Sequence, residues 1–343
     1  MPTINKGSDY FGVLTYTGDG AASKTVVDTS AVTFQPDFVW IKGRSGATDH
    51  ALYDAVRGTT KDLVSNSTAA ETTQSTGLTS FVNGGFTIGN LAKLNTSGAT
   101  YVAWCWKANG AGSTNTSGSI TSTVSVNTTA GFSVVTYTGN GTTGATIGHG
   151  LGVVPKMIIF KDRDSVTNWP VYHVSLGNAT AVNVNQTNAS FASSSFNSTT
   201  PTSTLITLGG NGLDVNNTSK KMLAYCWAEI AGFSKISSYT GNGSSDGPFV
   251  YCGFRPRFVM FKNTNTAQNW IIMDTARDPY NKMTQWLFPN TLGAEYTDAN
   301  IAVDYLSNGF KLRNVAGTEL NGNGNTIIFA AFAENPFKNA NAR

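Results

Sequence analysis

The chain has 343 residues, enough for two or three domains, of which 40% are hydrophobic and only 13% charged, for a net charge of +3. Its Lys and Arg residues are scattered, with no basic run longer than Lys220-Lys221, and so lack the patch or stripe that binds nucleic acid. No window of about 18 apolar residues suits a membrane-spanning helix, and three cysteines in so long a chain exclude a disulfide framework.

Polarity comes instead from Gly, Thr, Ser and Asn. Thr favours strands, Gly, Asn and Ser favour turns, and together they work against long helices. In chain order, residues 1–9 form a polar arm without an apolar signal core, so folding in a cytoplasm is expected. The arm is too polar to fold alone and is expected to be free to dock on a partner. Next comes Tyr-Thr-Gly-Asp-Gly at Tyr16–Gly20, followed by Pro36–Lys42, in which a Pro and a Lys bracket Phe38-Val39-Trp40-Ile41. A helical turn or two is expected near Asp54–Val64, a hairpin at Gly84–Gly89, and a closing strand at Tyr101–Lys107.

The same landmarks then recur in the same order. Tyr137–Gly141 precedes Pro155–Lys161 and Met222–Trp227, and Tyr239–Gly243 precedes Pro256–Lys262 and Ile327–Phe332. The pentapeptide reads as a strand end and a turn, because Gly and Asn tolerate positive φ. Four apolar residues in a row read as a strand buried on both faces, with Pro just outside it. The expected fold is therefore all-β, with three tandem β-sandwich or jelly-roll-like modules of one divergent repeat. The expected divisions are an arm at 1–9, modules at 10–109, 130–231 and 232–343, and a linker at 110–129. The Gly/Ser/Thr/Asn-rich stretch Gly110–Ser125 should be mobile, whereas the short apolar junction Glu229–Phe233 should pack the last two modules rigidly together.

Little in the sequence points to catalysis. His50, His149 and His173 share no metal-ligand spacing, and no Gly-x-Ser-x-Gly elbow exposes a nucleophile. Gly139–Gly144 matches Gly-x-Gly-x-x-Gly, but the Gly-rich stretch behind it cannot form the helix that would hold a pyrophosphate. Cys105 and Cys226 fall at equivalent places and are expected to be reduced core residues, with Ala331 in the third slot. No catalytic residue, cofactor or metal site is therefore expected, and the chain is not expected to be an enzyme. The candidates for glycan or partner contact are Trp169 and Trp270 with the preceding Asn168 and Asn269. There an indole ring could stack on a sugar while an amide bonds its hydroxyls.

The first module, Phe34–Lys42 followed by Leu52–Gly58, Leu63–Glu71, Gly85–Gly89 and Tyr101–Trp104, resembles the β-rich repeat of uncharacterised function in virion proteins of tailed bacteriophages, especially marine and cyanobacterial phages. The ending Ala331–Phe337 resembles the usual close of such proteins, and the resemblance spans nearly the whole chain. Ser175-Leu176-Gly177 and Ala276-Arg277-Asp278 depart from the Val-Arg-Gly of the first module. The resemblance implies a structural virion protein, tail-associated, in a fibre, spike or baseplate, assembled in the host cytoplasm and able to touch the host surface. Its expected partners are other virion proteins, further copies of the chain as a trimer, and a host-surface glycan, with no nucleic acid and no membrane insertion. A head decoration protein and a carbohydrate-binding adhesin are the alternatives, with a glycan-cleaving enzyme behind them.

Overall fold

In a computed structural model of the chain, residues 4–297, 302–313 and 318–335 are described. They are nearly all β, 43% strand against 3% helix, in antiparallel sheets. The helical turn expected near Asp54–Val64 is absent. That stretch makes a turn and two short bridges, because the Asp54 carboxylate draws in the amides of Val56 and Arg57. Such local side-chain bonding favours a turn over a helix.

The sheets carry one strand order three times. In the first, β1 (Phe11–Thr17), β2 (Phe38–Gly43), β3 (Ala51–Asp54) and β4 (Thr100–Trp106) lie in the order β1-β4-β2-β3. The second holds β5 (Phe132–Thr138), β6 (Met157–Asp162), β7 (Pro170–His173) and β8 (Lys221–Trp227), in the order β5-β8-β6-β7. In the third, β9 (Ser234–Thr240), β10 (Arg255–Asn263), β11 (Trp270–Asp274) and β12 (Thr326–Asn335) run β9-β12-β10-β11. Register agrees as well: Trp40 pairs with Trp104, Ile159 with Tyr225 and Met260 with Ala330.

Each apolar run is buried on both faces, as its composition requires. One face of the first sheet is covered by a small second sheet (24–27, 85–88 and 78–82), and the same face of the third by 249–251, 309–312 and 303–306. A Cβ on Gly85 would stand 1.9 Å from the carbonyl oxygen of Val26, and one on Gly309 2.0 Å from that of Val250. Only glycine lets these strands approach so closely. The other face of all three sheets enters one common core. Phe38, Trp40, Trp104 and Trp106 meet Phe132, Met157, Tyr225 and Trp227, and both groups meet Phe258, Met260 and Phe332. The Phe38 ring stacks on Tyr225 at 4.2 Å, while Trp106 lies 6.0 Å from Trp227 and 5.9 Å from Phe258.

Polar contacts run round this core in one sense. Lys42, Lys161 and Lys262 are fully buried, and each ammonium donates to a carbonyl of a neighbouring unit: Leu292, Thr68 and Thr187, respectively. In the reverse direction Asp54 accepts from Tyr225, His173 Nε2 meets the carbonyl of Phe329, and Asp274 accepts from Trp104 Nε1. The first unit thus touches the second, the second the third and the third the first. The sheets close a ring with pseudo-three-fold character.

Two regions differ from expectation. The supposed linker pairs as strands 113–115 and 122–127 on the edge of the second sheet. Its Val124 faces the core while Ser and Thr alternate with it, a period that sheet pairing satisfies. The arm is also not free from residue 4 onward. Ile4 is buried in the common core, and Gly7–Asp9 form a short 3-10 turn against β1 and β12. An apolar residue in a polar stretch gains by entering a core already built. Pro336 and Phe337 of the closing motif lie outside the described residues.

Two outcomes follow. Because one core is shared, calorimetry should give a single cooperative unfolding transition rather than three. Arg57→Met should destabilise by about 3–5 kcal/mol in urea, because it strands the buried Asp54 carboxylate that Arg57 Nε now holds at 2.5 Å.

Candidate functional site

The indoles named from the sequence are not available to a ligand. Trp169 and Trp270 are 1% and 2% exposed. Trp169 Nε1 donates to the carbonyls of Val64 and Ser67, and Trp270 Nε1 to that of Asn183, so each indole is a rivet between units. A ring packed on both faces has none left for a sugar. The spacing aligns them with a third residue: His50, Trp169 and Trp270 each stand eight residues after the lysine of the Pro-bracketed strand, at Lys42, Lys161 and Lys262, and His50 makes the same kind of bond, from Nε2 to the carbonyl of Phe288.

The asparagines part company. Asn269 accepts from Asn290 and fastens a loop. Asn168, two residues before β7, lines a recess of about 240 Å³ in the second unit. Its walls are Asn183 at the end of strand 177–183, Phe191 and Ser193–Ser195 beyond it, and Leu213 and Asp214 from the loop before β8. Pro170, Ala192 and Gly212 complete the lining.

The recess is held from several sides. Asn168 Oδ1 accepts from Asn185 Nδ2 at 3.0 Å and Gln186 Nε2 at 2.9 Å, which fixes the amide's orientation. The backbone N–H of Asn168 donates to Asp214 Oδ2 at 3.2 Å. The carbonyl of Asn183 is pinned from behind by Trp270. Phe191 lies on an edge strand and remains 39% exposed. Asp214 takes a left-handed backbone, with φ +60°, a conformation that Asp tolerates better than most residues. Burial raises its pKa, with the Asn168 amide and then Lys161 pulling the other way.

The first unit carries different residues at the corresponding place. There the buried Asn95 holds the Gly18–Gly20 turn as Asn216 holds Gly139–Gly141. Two residues before Asn95 stands Lys93, which forms an ion pair with Asp62. Two residues before Asn216 stands Asp214. A short acid thus stands where the first unit has a paired lysine. Sequence reading missed Phe191, Ser193, Ser194 and Asp214, because nothing in their spacing marks them as neighbours.

The groups with chemical reactivity are tied up in structure. Each histidine accepts at Nδ1 and faces a carbonyl with Nε2: His50 from Trp40 and to Phe288, His149 from Leu151 and to Thr202, and His173 from Ser175 and to Phe329. That is the neutral Nε2–H tautomer. Burial depresses all three pKa values, that of His173 to about 4. Cys105, Cys226 and Cys252 are buried and free, and burial raises their pKa, that of Cys226 to about 12. Among the described residues, no group of three or more His, Cys, Asp or Glu could hold a metal ion, and no helix is long and apolar enough to cross a membrane.

A histidine whose folded pKa is depressed gives stability that is complete above its unfolded value and lost as pH falls through the folded one. Stability should therefore decline between pH 6.5 and about 4, with His173 contributing on the order of 3 kcal/mol. His173→Gln, which keeps an amide donor, should flatten the melting temperature over that window. An unchanged slope would mean that other groups carry it.

A search among curated proteins finds no match. A family model does match, over residues 6–336, and its span takes in all three sheets and the recess. The chain belongs to the family described as domain of unknown function DUF7483.

Proposed function

We propose that this chain is a non-enzymatic structural protein of a phage virion, tail-associated, whose three sheets are copies of one module and whose exposed loops contact the host surface. The observation that supports this reading most is the closed ring. One chain sets three sheets of the same order about a shared aromatic core. Such a body gives a three-fold shape with few charges, suited to seating on a tail, where three-fold spikes and fibres are common. Its contacts would rest on shape and hydrogen bonds, which salt screens little.

Mass spectrometry of purified particles of the encoding phage should find the chain in fixed stoichiometry, and immunogold should label the tail. Labelling of the capsid would favour head decoration instead. Absence from particles would overturn the virion assignment. Release of reducing ends from host-surface polysaccharide by the pure protein would overturn the non-enzymatic one. The trimer remains a separate proposal: light scattering should give three times the 36.3 kDa chain mass. A single-chain mass at all concentrations would mean that the internal ring alone supplies the symmetry. A carbohydrate-binding adhesin is the second reading, and the recess beside Asn168 favours it.

A further inference from the structure

We infer that the recess of the second unit is a binding site for one neutral pyranose ring, with Phe191 as its stacking face and Asp214 and Asn168 as its polar anchors. The inference rests on the host-contact reading above and names the ligand class for it.

Size argues for a single small ring. At about 240 Å³ the recess is smaller than the roughly 300 Å³ at which pockets for drug-sized ligands begin. Its chemistry argues for a polyol. Amide and hydroxyl groups from Asn168, Asn183, Ser193 and Ser194 mix donors with acceptors, which is what a ring of hydroxyls requires. Phe191 adds an exposed aromatic face at the rim, and a pyranose presents C–H groups to such a face.

Charge narrows the class. Among the described residues, Asp214 is the only ionisable one lining the recess. The nearest cation that pulls on it, Lys161, is buried and donates to the carbonyls of Thr68 and Thr167. A uronic or sialic acid would bring a second carboxylate to a site with no cation to receive it. A neutral sugar can instead donate one or two hydroxyls to Asp214, and hydrogen bonds to a charged acceptor are the stronger kind.

Construction argues against an accidental dent. The floor is held by Trp270 through the Asn183 carbonyl, and Asn168 is oriented by two amides. Asp214 keeps a left-handed backbone where the first unit has a paired lysine. Preorganised walls lower the cost of binding a small ligand.

The test uses the full chain and a panel of free sugars: glucose, galactose, mannose, rhamnose, fucose, N-acetylglucosamine and N-acetylgalactosamine, with glucuronate and sialic acid as the anionic arm. Saturation-transfer NMR and calorimetric titration should show saturable binding of at least one neutral sugar and none of the anionic ones. Phe191→Ala and Asp214→Asn should each weaken that binding about tenfold, at an unchanged melting temperature. Phe249→Ala, which removes another exposed ring far along the chain, should leave it unchanged. No saturable binding anywhere in the panel would overturn the inference. So would preference for an anionic sugar, or binding indifferent to both recess variants. Sugar binding by a chain absent from particles would sink the virion reading alone, and a tail protein that binds no sugar would sink this inference alone.

Discussion

A strand that is apolar on every residue must be covered on both faces. In this chain that constraint applies to the central strands of all three sheets. A small second sheet of a few short strands can cover one face only. The other face carries Trp104 and Trp106, Tyr225 and Trp227, or Phe332, and such a face exposed to water would be a large apolar patch. The three sheets solve the problem together by turning those faces inward on one another. None of them could keep its large rings dry alone, so the body is one cooperative structure, however regular its strand order.

The ring closes through polar groups that are costly to bury singly and therefore come paired. Asp54 with Arg57, Glu71 and Arg163 secures the first unit to the second, and Asp274 with Arg277, Glu295 and Arg44 secures the third to the first. At the remaining junction the corresponding places hold His173, Leu176, Ser190 and Thr264. The backbone bond from Ser190 to Thr264 stays, as Glu71 bonds Arg163 and Glu295 bonds Arg44. Geometry is thus kept where charge is given up. Replacing a buried ionic cluster by neutral groups of suitable shape need not cost stability.

The same substitution of roles governs the surface. The second unit differs from the first where Asp214 stands in place of a lysine paired with Asp62, and there the recess lies open. The second unit, without the charged cluster at one edge, carries there a concavity that combines amides, hydroxyls, a carboxylate and an exposed ring. The buried histidines and cysteines, by contrast, are part of the frame. Their hydrogen bonds and shifted acidities follow from burial.

The sequence by itself determined the β class, the places of the central strands, the turns and the burial of Cys105 and Cys226, because alternation, apolar runs and turn residues act over a few neighbouring positions. The recurrence of Pro-bracketed strands also aligned His50 with Trp169 and Trp270, an equivalence their parallel bonds bear out. Only the tertiary structure decided what those residues touch. Trp169 and Trp270 read as exposed rims because each follows a polar loop, yet the neighbouring unit's loop covers them. Gly110–Ser125 read as mobile from composition, yet an open sheet edge offered its backbone partners. Asp214 and Phe191 became neighbours because sheet pairing and a long loop meet at one point, and local chemistry carries no record of contacts made across such distances.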